Sequence, residues 1–329
     1  MILSFTVLLL FVILVNGWTD APNAIAGCVS TRALSPGGAL TLAAICNFSG
    51  AVAMAALYSG VAKTLFGMVS FGEDPQDALA ALCSALVAVI LWGVLAWRFG
   101  LPTSESHALI SGMTGAALAQ KGSLAAINGE EWGRVILGLL ATTLPAYLFG
   151  FLIYRILLSC LANARRRTVM AYFRRTQILG AAGSAFMHGA QDSQKFMGVY
   201  LLGLALHDSA SDPPETIPLS VILITASVMT LGTMIGGARI IKKVGCEMTD
   251  LDAVGGTSAD LASTAVLYLC SVLGIPASTT HSKSCAIMGT GLCRRGSTNP
   301  RVVAEMLGAW ILTFPACGII GYALSSLFT

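Results

Sequence analysis

The chain carries two copies of one polar pattern inside apolar sequence, and this duplication limits the folds open to it. The first copy is Gly-Trp-Thr-Asp-Ala-Pro-Asn at 17–23, followed by Pro-Thr-Ser-Glu-Ser-His at 102–107. The second is His-Gly-Ala-Gln-Asp-Ser-Gln-Lys at 188–195, followed by Pro-Ala-Ser-Thr-Thr-His at 276–281. The aspartates of the two copies are 172 residues apart and the prolines 174 apart. This spacing predicts two related halves with a duplicated polar site, a pattern typical of transporters.

The composition places the chain in a membrane. Hydrophobic residues make up 55% of it, charged residues 11%, and the mean hydropathy is +0.78. The charged fraction is less than half of the roughly 25% found in soluble domains. The sequence therefore predicts an all-α integral membrane protein with the lipid bilayer as its solvent. A net charge of only +3 gives no support to a nucleic-acid partner.

Apolar runs of about 20 residues are long enough to cross a bilayer. They predict ten transmembrane segments, at 2–31, 37–66, 77–98, 102–120, 131–160, 176–206, 218–241, 256–273, 276–293 and 301–327. The first segment of each half is predicted to be broken, near 17–23 and 189–193, where glycine or proline flanks an aspartate. The first segment is expected to stay in the protein rather than to be cleaved as a signal peptide, because polar residues interrupt it. Whether 102–120 reaches the surface or is one arm of a helical hairpin stays open.

Loop charges predict the orientation of the halves. The strongest basic cluster, at 165–175, is expected to be cytoplasmic. With it as the reference, the remaining loop charges alternate consistently between basic inside and acidic outside. The basic residues expected inside are Arg32, Lys242, Lys243, Arg294, Arg295 and Arg301, and the acidic residues expected outside are Glu73, Asp74, Asp77, Asp208, Asp212 and Glu215. An odd number of crossings per half follows. We therefore predict inverted repeats at 1–163 and 176–329, a basic linker at 164–175, and both termini outside the cell membrane.

Asp20 and Asp192 lie near the middle of their apolar segments. A carboxylate at the bilayer centre costs about 2.5 to 3.5 kcal/mol on insertion scales, so something must offset that cost. A bound cation, a proton or a substrate would do so. The alternative is an ion pair with an arginine that only holds helices together, although this explains less well why the aspartate recurs at equivalent positions.

The Pro-x-Ser-x-x-His segments are predicted to start helices. The first turn of a helix offers free N–H groups and the positive end of its dipole, which attract an oxyanion. Hydroxyl groups at Ser104, Ser106, Ser278, Thr279 and Thr280 add further donors. Two such helix starts could hold a tetrahedral anion between them. The alternative for either segment alone is an ordinary helix cap.

These segments resemble the motifs of the PiT family of inorganic phosphate transporters. That family has a Gly-x-Asn-Asp-x-x-Asn-Ala motif in each half and a Pro-x-Ser-Thr-Thr-His motif further along. Segment 17–24 matches the first motif with Thr19 in place of asparagine, and 188–195 resembles its bacterial second-half form with Gln191 in place of asparagine. Segment 276–281 matches the later motif. The similarity covers the whole chain in order, and the short central loop is typical of bacterial members.

The resemblance implies cation-coupled uptake of phosphate by alternating access, in a homodimer without cofactors and without enzymatic activity. The phosphate contacts that it implies are Asp20, Ser104, Ser106, Ser278, Thr279 and Thr280. The implied coupling-cation contacts are Asn23, Gln191, Asp192 and Asp260, with sodium expected at Asp20, Asn23 and Asp192. The coupling ion, Na⁺ or H⁺, stays open at this point.

Four further residues have two interpretations each. Glu105 stands where the family usually has a hydroxyl or amide residue; it is either a proton carrier in the membrane interior or a cytoplasmic residue beside the first turn of its helix. His107 and His281 are expected to be hydrogen-bonded supporting groups rather than proton shuttles. Lys195 is expected either to pair with Asp192 or to approach the anion.

Three other functions are partly compatible with these motifs. Loss of both motif asparagines could signal sulfate or another oxyanion as substrate. A passive anion channel would also use helix ends, but its buried aspartates would obstruct an anion that lacks a partner cation. An intramembrane hydrolase built on Asp20, His107 and Ser104 is disfavoured, since the polar set is doubled and a Gly-x-Ser-x-Gly turn is absent from the sequence.

Overall fold

The computed structural model describes residues 1–72, 74–208, 216–293 and 297–328. Across these ranges the protein is helical, and the β-structure there consists of two isolated bridges, Val69–Ile127 and Thr249–Thr298. Five of the charges used above to predict orientation lie outside the described residues: Glu73, Asp212, Glu215, Arg294 and Arg295.

The first half of the chain forms seven α-helices and one short 3-10 helix at Leu124–Ala126. The α-helices are α1 Ile2–Thr19, α2 Ala21–Ser30, α3 Pro36–Leu57, α4 Gly60–Gly67, α5 Pro75–Arg98, α6 Glu105–Lys121 and α7 Gly129–Cys160. The second half contains α8 Arg166–Asp208, α9 Leu219–Ile235, α10 Ala238–Lys242 with a π-helical turn at Lys243–Glu247, α11 Ala253–Val272, α12 Thr279–Leu292 and α13 Pro300–Phe328.

Five helical stretches among the described residues are long and apolar enough to cross a membrane. They are Ile2–Ser30, Pro36–Leu57, Pro75–Arg98, Gly129–Cys160 and Pro300–Phe328. Leu219–Ile235 and Ala238–Glu247 make a sixth if this pair, which is bent by 67°, is counted as one span. The prediction of ten spans goes beyond these and stays a prediction.

The predicted break in the first segment is present, at Asp20 between α1 and α2. Pro22 lies in the first turn of α2, where a residue without an N–H group costs no hydrogen bond. The predicted break near 189–193 is wrong, because α8 runs unbroken from Arg166 to Asp208. Gly189 serves close packing instead: a Cβ atom there would collide with the carbonyl of Asn47 on α3. Since α8 begins at Arg166, most of the segment predicted as a linker is helical.

Helix packing is reciprocal between the two halves. Helix α3 packs on α8 as α9 packs on α1, and α6 packs on α13 as α12 packs on α7. Helix α5 contacts α13, and α11 correspondingly contacts α7. Two glycines permit the closest approaches: a Cβ at Gly115 would collide with the carbonyl of Gly318, and one at Gly289 with that of Tyr147. Small residues thus let these helix backbones touch, as is common in membrane proteins.

Candidate functional site

The first turns of α6 and α12 meet in the interior of the protein. Ser104 caps α6, its Oγ accepting the His107 N–H at 3.4 Å, and Ser278 caps α12, its Oγ accepting the His281 N–H at 3.2 Å. The helix starts predicted from sequence are therefore present. The Ser278 hydroxyl donates to the Ser104 Oγ over 2.9 Å. Two positive helix ends thus converge on one buried point.

Histidine rings pack behind this meeting point. The rings of His107 and His281 lie 4.5 Å apart, and His281 also lies 3.9 Å from the Trp310 ring. Within the described residues, neither ring nitrogen of His281 has a hydrogen-bond partner. The hydrogen bonds expected from the His281 ring are therefore not seen, and the histidines contact each other and aromatic rings instead.

The two motif aspartates approach each other beside the helix ends. Asp20 and Asp192 are buried, and the Asn16 amide nitrogen lies 3.4 Å from Asp20 Oδ2 and 3.3 Å from Asp192 Oδ2. Carboxylate oxygens of both aspartates and a ring nitrogen of His188 lie within 4.8 Å of one another. Residues distant in sequence therefore form one polar cluster.

Asp192 contacts a lysine, a histidine and a threonine side chain. The Lys195 ammonium lies 2.6 Å from its Oδ1, and His188 Nε2 lies 3.3 Å from its Oδ2. The Thr279 hydroxyl donates to Oδ2 at 3.2 Å. The charge of this carboxylate is therefore balanced by the protein itself.

Asp20 has no cationic partner among the described residues. Its Oδ2 accepts weak hydrogen bonds from Asn16 and from the Glu105 backbone N–H at 3.4 Å, and it forms no ion pair among the residues that the structure describes. Glu105 is also buried, accepts the Thr19 hydroxyl at 3.0 Å, and has an Oε2 without a hydrogen-bond partner in the same part of the chain. The interior placement of Glu105, rather than the exposed one, is the one observed. Two acidic side chains without a cationic partner among the described residues thus lie at the start of α6.

The other predicted hydroxyl groups connect the halves. Asn23 Nδ2 donates to Thr280 Oγ1 at 3.0 Å, and Lys195 Nζ donates to Ser106 Oγ at 2.5 Å. Each pair joins the residue three positions after a motif aspartate to a hydroxyl on the helix start of the opposite half. The candidate phosphate contacts and Asn23 are thereby brought together.

Two predicted cation contacts are engaged elsewhere. Gln191 donates to the Ser271 hydroxyl at 2.9 Å and accepts the Ala277 N–H at 3.3 Å, so it holds the segment that precedes α12. Asp260 forms an ion pair with Lys283. Both partners of that pair are buried, and the Lys283 ammonium also lies 3.2 Å from the Ser184 hydroxyl.

Sequence reasoning missed several members of this cluster, namely Asn16, Ser184, His188 and Lys283. One signal was available for the lysine, because a charged residue inside an apolar segment is costly and is rarely retained without a partner. His188 opens the 188–195 motif, but no role for it was predicted. Asn16 lies one turn before Asp20, and the sequence alone does not show that it reaches both aspartates.

A small cavity lies between these groups. The space open to the centre of a water molecule is about 10 Å³. The lining residues are Asp20, Asn23, Ala24, Ser184, His188, Ser263, Leu267, Thr279 and Lys283. That volume accommodates roughly one water molecule. A tetrahedral oxyanion is larger, so its entry requires the surrounding helices to separate.

Comparisons with known proteins show the family of the chain. Residues 16–321 match the model of the phosphate transporter family. A probable low-affinity inorganic phosphate transporter of Bacillus subtilis (strain 168) is 36% identical over 311 residues, covering 93% of this chain and 91% of the relative. A protein of the same description from Rhizobium meliloti (strain 1021) is 33% identical, covering 94% of this chain and 91% of its own length.

A solved structure shares the fold. It is described as the sodium-dependent phosphate transporter, and it superimposes with a TM-score of 0.88 at 21% identity, covering 99% of this chain and 98% of the other. At that identity the match speaks for the fold alone. The family match and the curated relatives show that the chain belongs to the phosphate transporter family.

Proposed function

We propose that this protein is a symporter that takes up inorganic phosphate together with sodium by alternating access. The observation that carries the proposal is the meeting of the Ser104 and Ser278 helix caps, 2.9 Å apart, beside the unbalanced carboxylate of Asp20. A positive helix end attracts an oxyanion, and a buried carboxylate attracts a cation. The site therefore suits a cation and an anion bound side by side.

Phosphate is proposed to bind between the helix starts, where it would replace the hydrogen bond that joins the Ser104 and Ser278 hydroxyl groups. The proposed contacts are Asp20, Ser104, Ser106, Ser278, Thr279 and Thr280. Phosphate near neutral pH carries a P–OH group that can donate to the Asp20 carboxylate. Sulfate has no such donor and would leave a buried acceptor unpaired, so the site should reject it.

Sodium is proposed to bind at Asp20 and Asn23. The Asn23 Oδ1 is buried without a hydrogen-bond partner among the described residues, as is Asn16 Oδ1. Carboxylate and carbonyl oxygens are ligands that hard cations prefer. The name of the solved relative, a sodium-dependent phosphate transporter, points the same way. Gln191, Asp192 and Asp260, the other predicted cation contacts, each have protein partners and are not part of the sodium site proposed here.

Coupling follows from the charges. Phosphate beside the Asp20 carboxylate is repelled unless a cation neutralises that carboxylate, so each ligand strengthens the binding of the other. A proton on Asp20 or Glu105 could serve in the same way, and the experiment below separates the two ions.

We further propose that the protein has ten membrane segments in two inverted repeats, lies in the cell membrane with both termini outside, and forms a homodimer. The reciprocal packing of α3 on α8 and α9 on α1 supports the repeats. The two isolated bridges, at equivalent places in the halves, support them too.

Uptake of radiolabelled phosphate into vesicles containing the purified protein tests the proposal. An inward sodium gradient should drive accumulation above equilibrium, and potassium in its place should not. Arsenate should compete and sulfate should not. Accumulation driven by a pH gradient in the absence of sodium would identify protons, not sodium, as the coupling ion. Phosphate flux that depends on neither gradient would contradict symport.

A further inference from the structure

The Lys195 ammonium occupies a position built for a small cation. It is 1% exposed and lies 2.6 Å from Asp192 Oδ1, 2.5 Å from Ser106 Oγ and 2.5 Å from the Ala277 carbonyl oxygen. These are a carboxylate, a hydroxyl and a backbone carbonyl, the three kinds of oxygen that commonly coordinate hard metal cations. An ammonium group has three N–H donors, and all three are used here.

The other half of the protein provides the comparison. Asn23 stands three residues after Asp20, as Lys195 stands three residues after Asp192. Asn23 contacts Thr280 across the halves, as Lys195 contacts Ser106. The two positions therefore have the same place in the site but carry a neutral amide in one half and a positive charge in the other.

This difference makes the two halves electrically unequal. The Asp192 carboxylate is balanced by a charge that belongs to the chain, whereas the Asp20 carboxylate has no ion-pair partner within the described ranges. The carbonyl oxygen of Asn23 is without a hydrogen bond there as well. A sodium ion beside Asp20 would balance a charge that the described residues leave unbalanced, whereas Asp192 already has a cation in the Lys195 ammonium.

We propose that Lys195 is a tethered cation that replaces a mobile coupling ion at Asp192, so that the only sodium site of the cluster is at Asp20 and Asn23. This inference rests on the proposed sodium coupling. Direct contact with phosphate is the competing role for Lys195. It is disfavoured because turning the Lys195 ammonium toward an anion would leave the buried Asp192 carboxylate without its cation.

The test is equilibrium binding of radioactive sodium to the purified protein in detergent, which does not depend on transport. Lys195→Asn, which copies the arrangement at Asn23, should bind one more sodium ion per chain than the unaltered protein. Adding Asp192→Asn to that variant should remove the extra ion. An unchanged sodium count in Lys195→Asn together with a tenfold or larger loss of phosphate affinity would overturn the proposal and identify Lys195 as an anion ligand. An unchanged count with unchanged phosphate affinity would overturn it too.

The unaltered protein and single variants provide a second test if Lys195→Asn does not fold. Asp20→Asn should remove sodium binding, whereas Asp192→Asn should leave the sodium count unchanged, because Lys195 already fills that position. A lower count in Asp192→Asn would overturn the proposal. Absence of sodium binding in the unaltered protein, with a gained site in Lys195→Asn, would contradict the proposed sodium coupling and support the tethered cation.

Discussion

Ser104 and Ser278, 174 residues apart in the chain, share a hydrogen bond of 2.9 Å between their hydroxyl oxygens. Each hydroxyl also caps its own helix by accepting a backbone N–H group. The two helix ends are thus joined at a single buried contact, and an anion that enters between them would exchange this contact for hydrogen bonds to both.

Replacing Asp20 by asparagine should abolish cation-coupled uptake, because the amide keeps the shape of the side chain and removes the charge that holds the cation. Vesicle uptake under a sodium gradient measures this. Asp77→Asn, an exposed acid in the first turn of α5, is the matched control and should transport normally. Normal accumulation by Asp20→Asn would exclude this residue from the coupling.

Removing two hydroxyl groups, in Ser278→Ala combined with Thr279→Ala, should weaken apparent phosphate affinity by about 1 to 3 kcal/mol through lost hydrogen bonds. The half-saturation concentration for uptake reports the change. Ser326→Ala removes an exposed hydroxyl that donates to the Tyr322 carbonyl of its own helix and should have no effect on that concentration. Equal half-saturation concentrations in the double variant and the unaltered protein would contradict the phosphate contacts proposed here.

Gly93 makes room for the buried Glu105 side chain, since a Cβ atom at residue 93 would collide with Glu105 Oε1. Gly93→Ala should therefore lower stability by about 1 to 3 kcal/mol and displace the carboxylate. Thermal unfolding in detergent measures the loss. Gly133→Ala, whose added Cβ meets open space, is the control. A melting temperature equal to that of the control would show that Glu105 is not held against Gly93.

The buried pair of Lys283 and Asp260 offers a double-mutant test. Lys283→Met leaves an isolated buried carboxylate and should cost about 3 to 5 kcal/mol of stability. Adding Asp260→Asn removes that charge and should restore part of the loss, as measured by thermal unfolding of all four proteins. Additive effects of the two substitutions would contradict a direct interaction.

The sequence predicted the helix starts at Ser104 and Ser278 and the break at Asp20, because these depend on local signals such as proline and capping residues. It predicted wrongly a break beside Asp192. Glycine was taken there as a weak point of the helix, whereas Gly189 lies against the Asn47 carbonyl and allows α3 to pack closely on α8.

The partners of the charged residues could be predicted only in part. Lys195 lies three residues after Asp192 on one helix, so the helical repeat places the two side chains on the same face and predicts their ion pair. The pair of Lys283 with Asp260 joins α12 to α11, and Asn16 reaches Asp192 across 176 residues of chain. Such contacts depend on how the helices are packed, which a single sequence does not show.

Sodium and phosphate are proposed to stabilise each other's binding through Asp20. Phosphate affinity measured by titration calorimetry, with sodium and with potassium, tests it most directly. We expect sodium to tighten phosphate binding, phosphate to tighten sodium binding by the same factor, and Asp20→Asn to abolish both effects. Phosphate binding of equal strength in sodium, in potassium and in the Asp20→Asn protein would contradict the account.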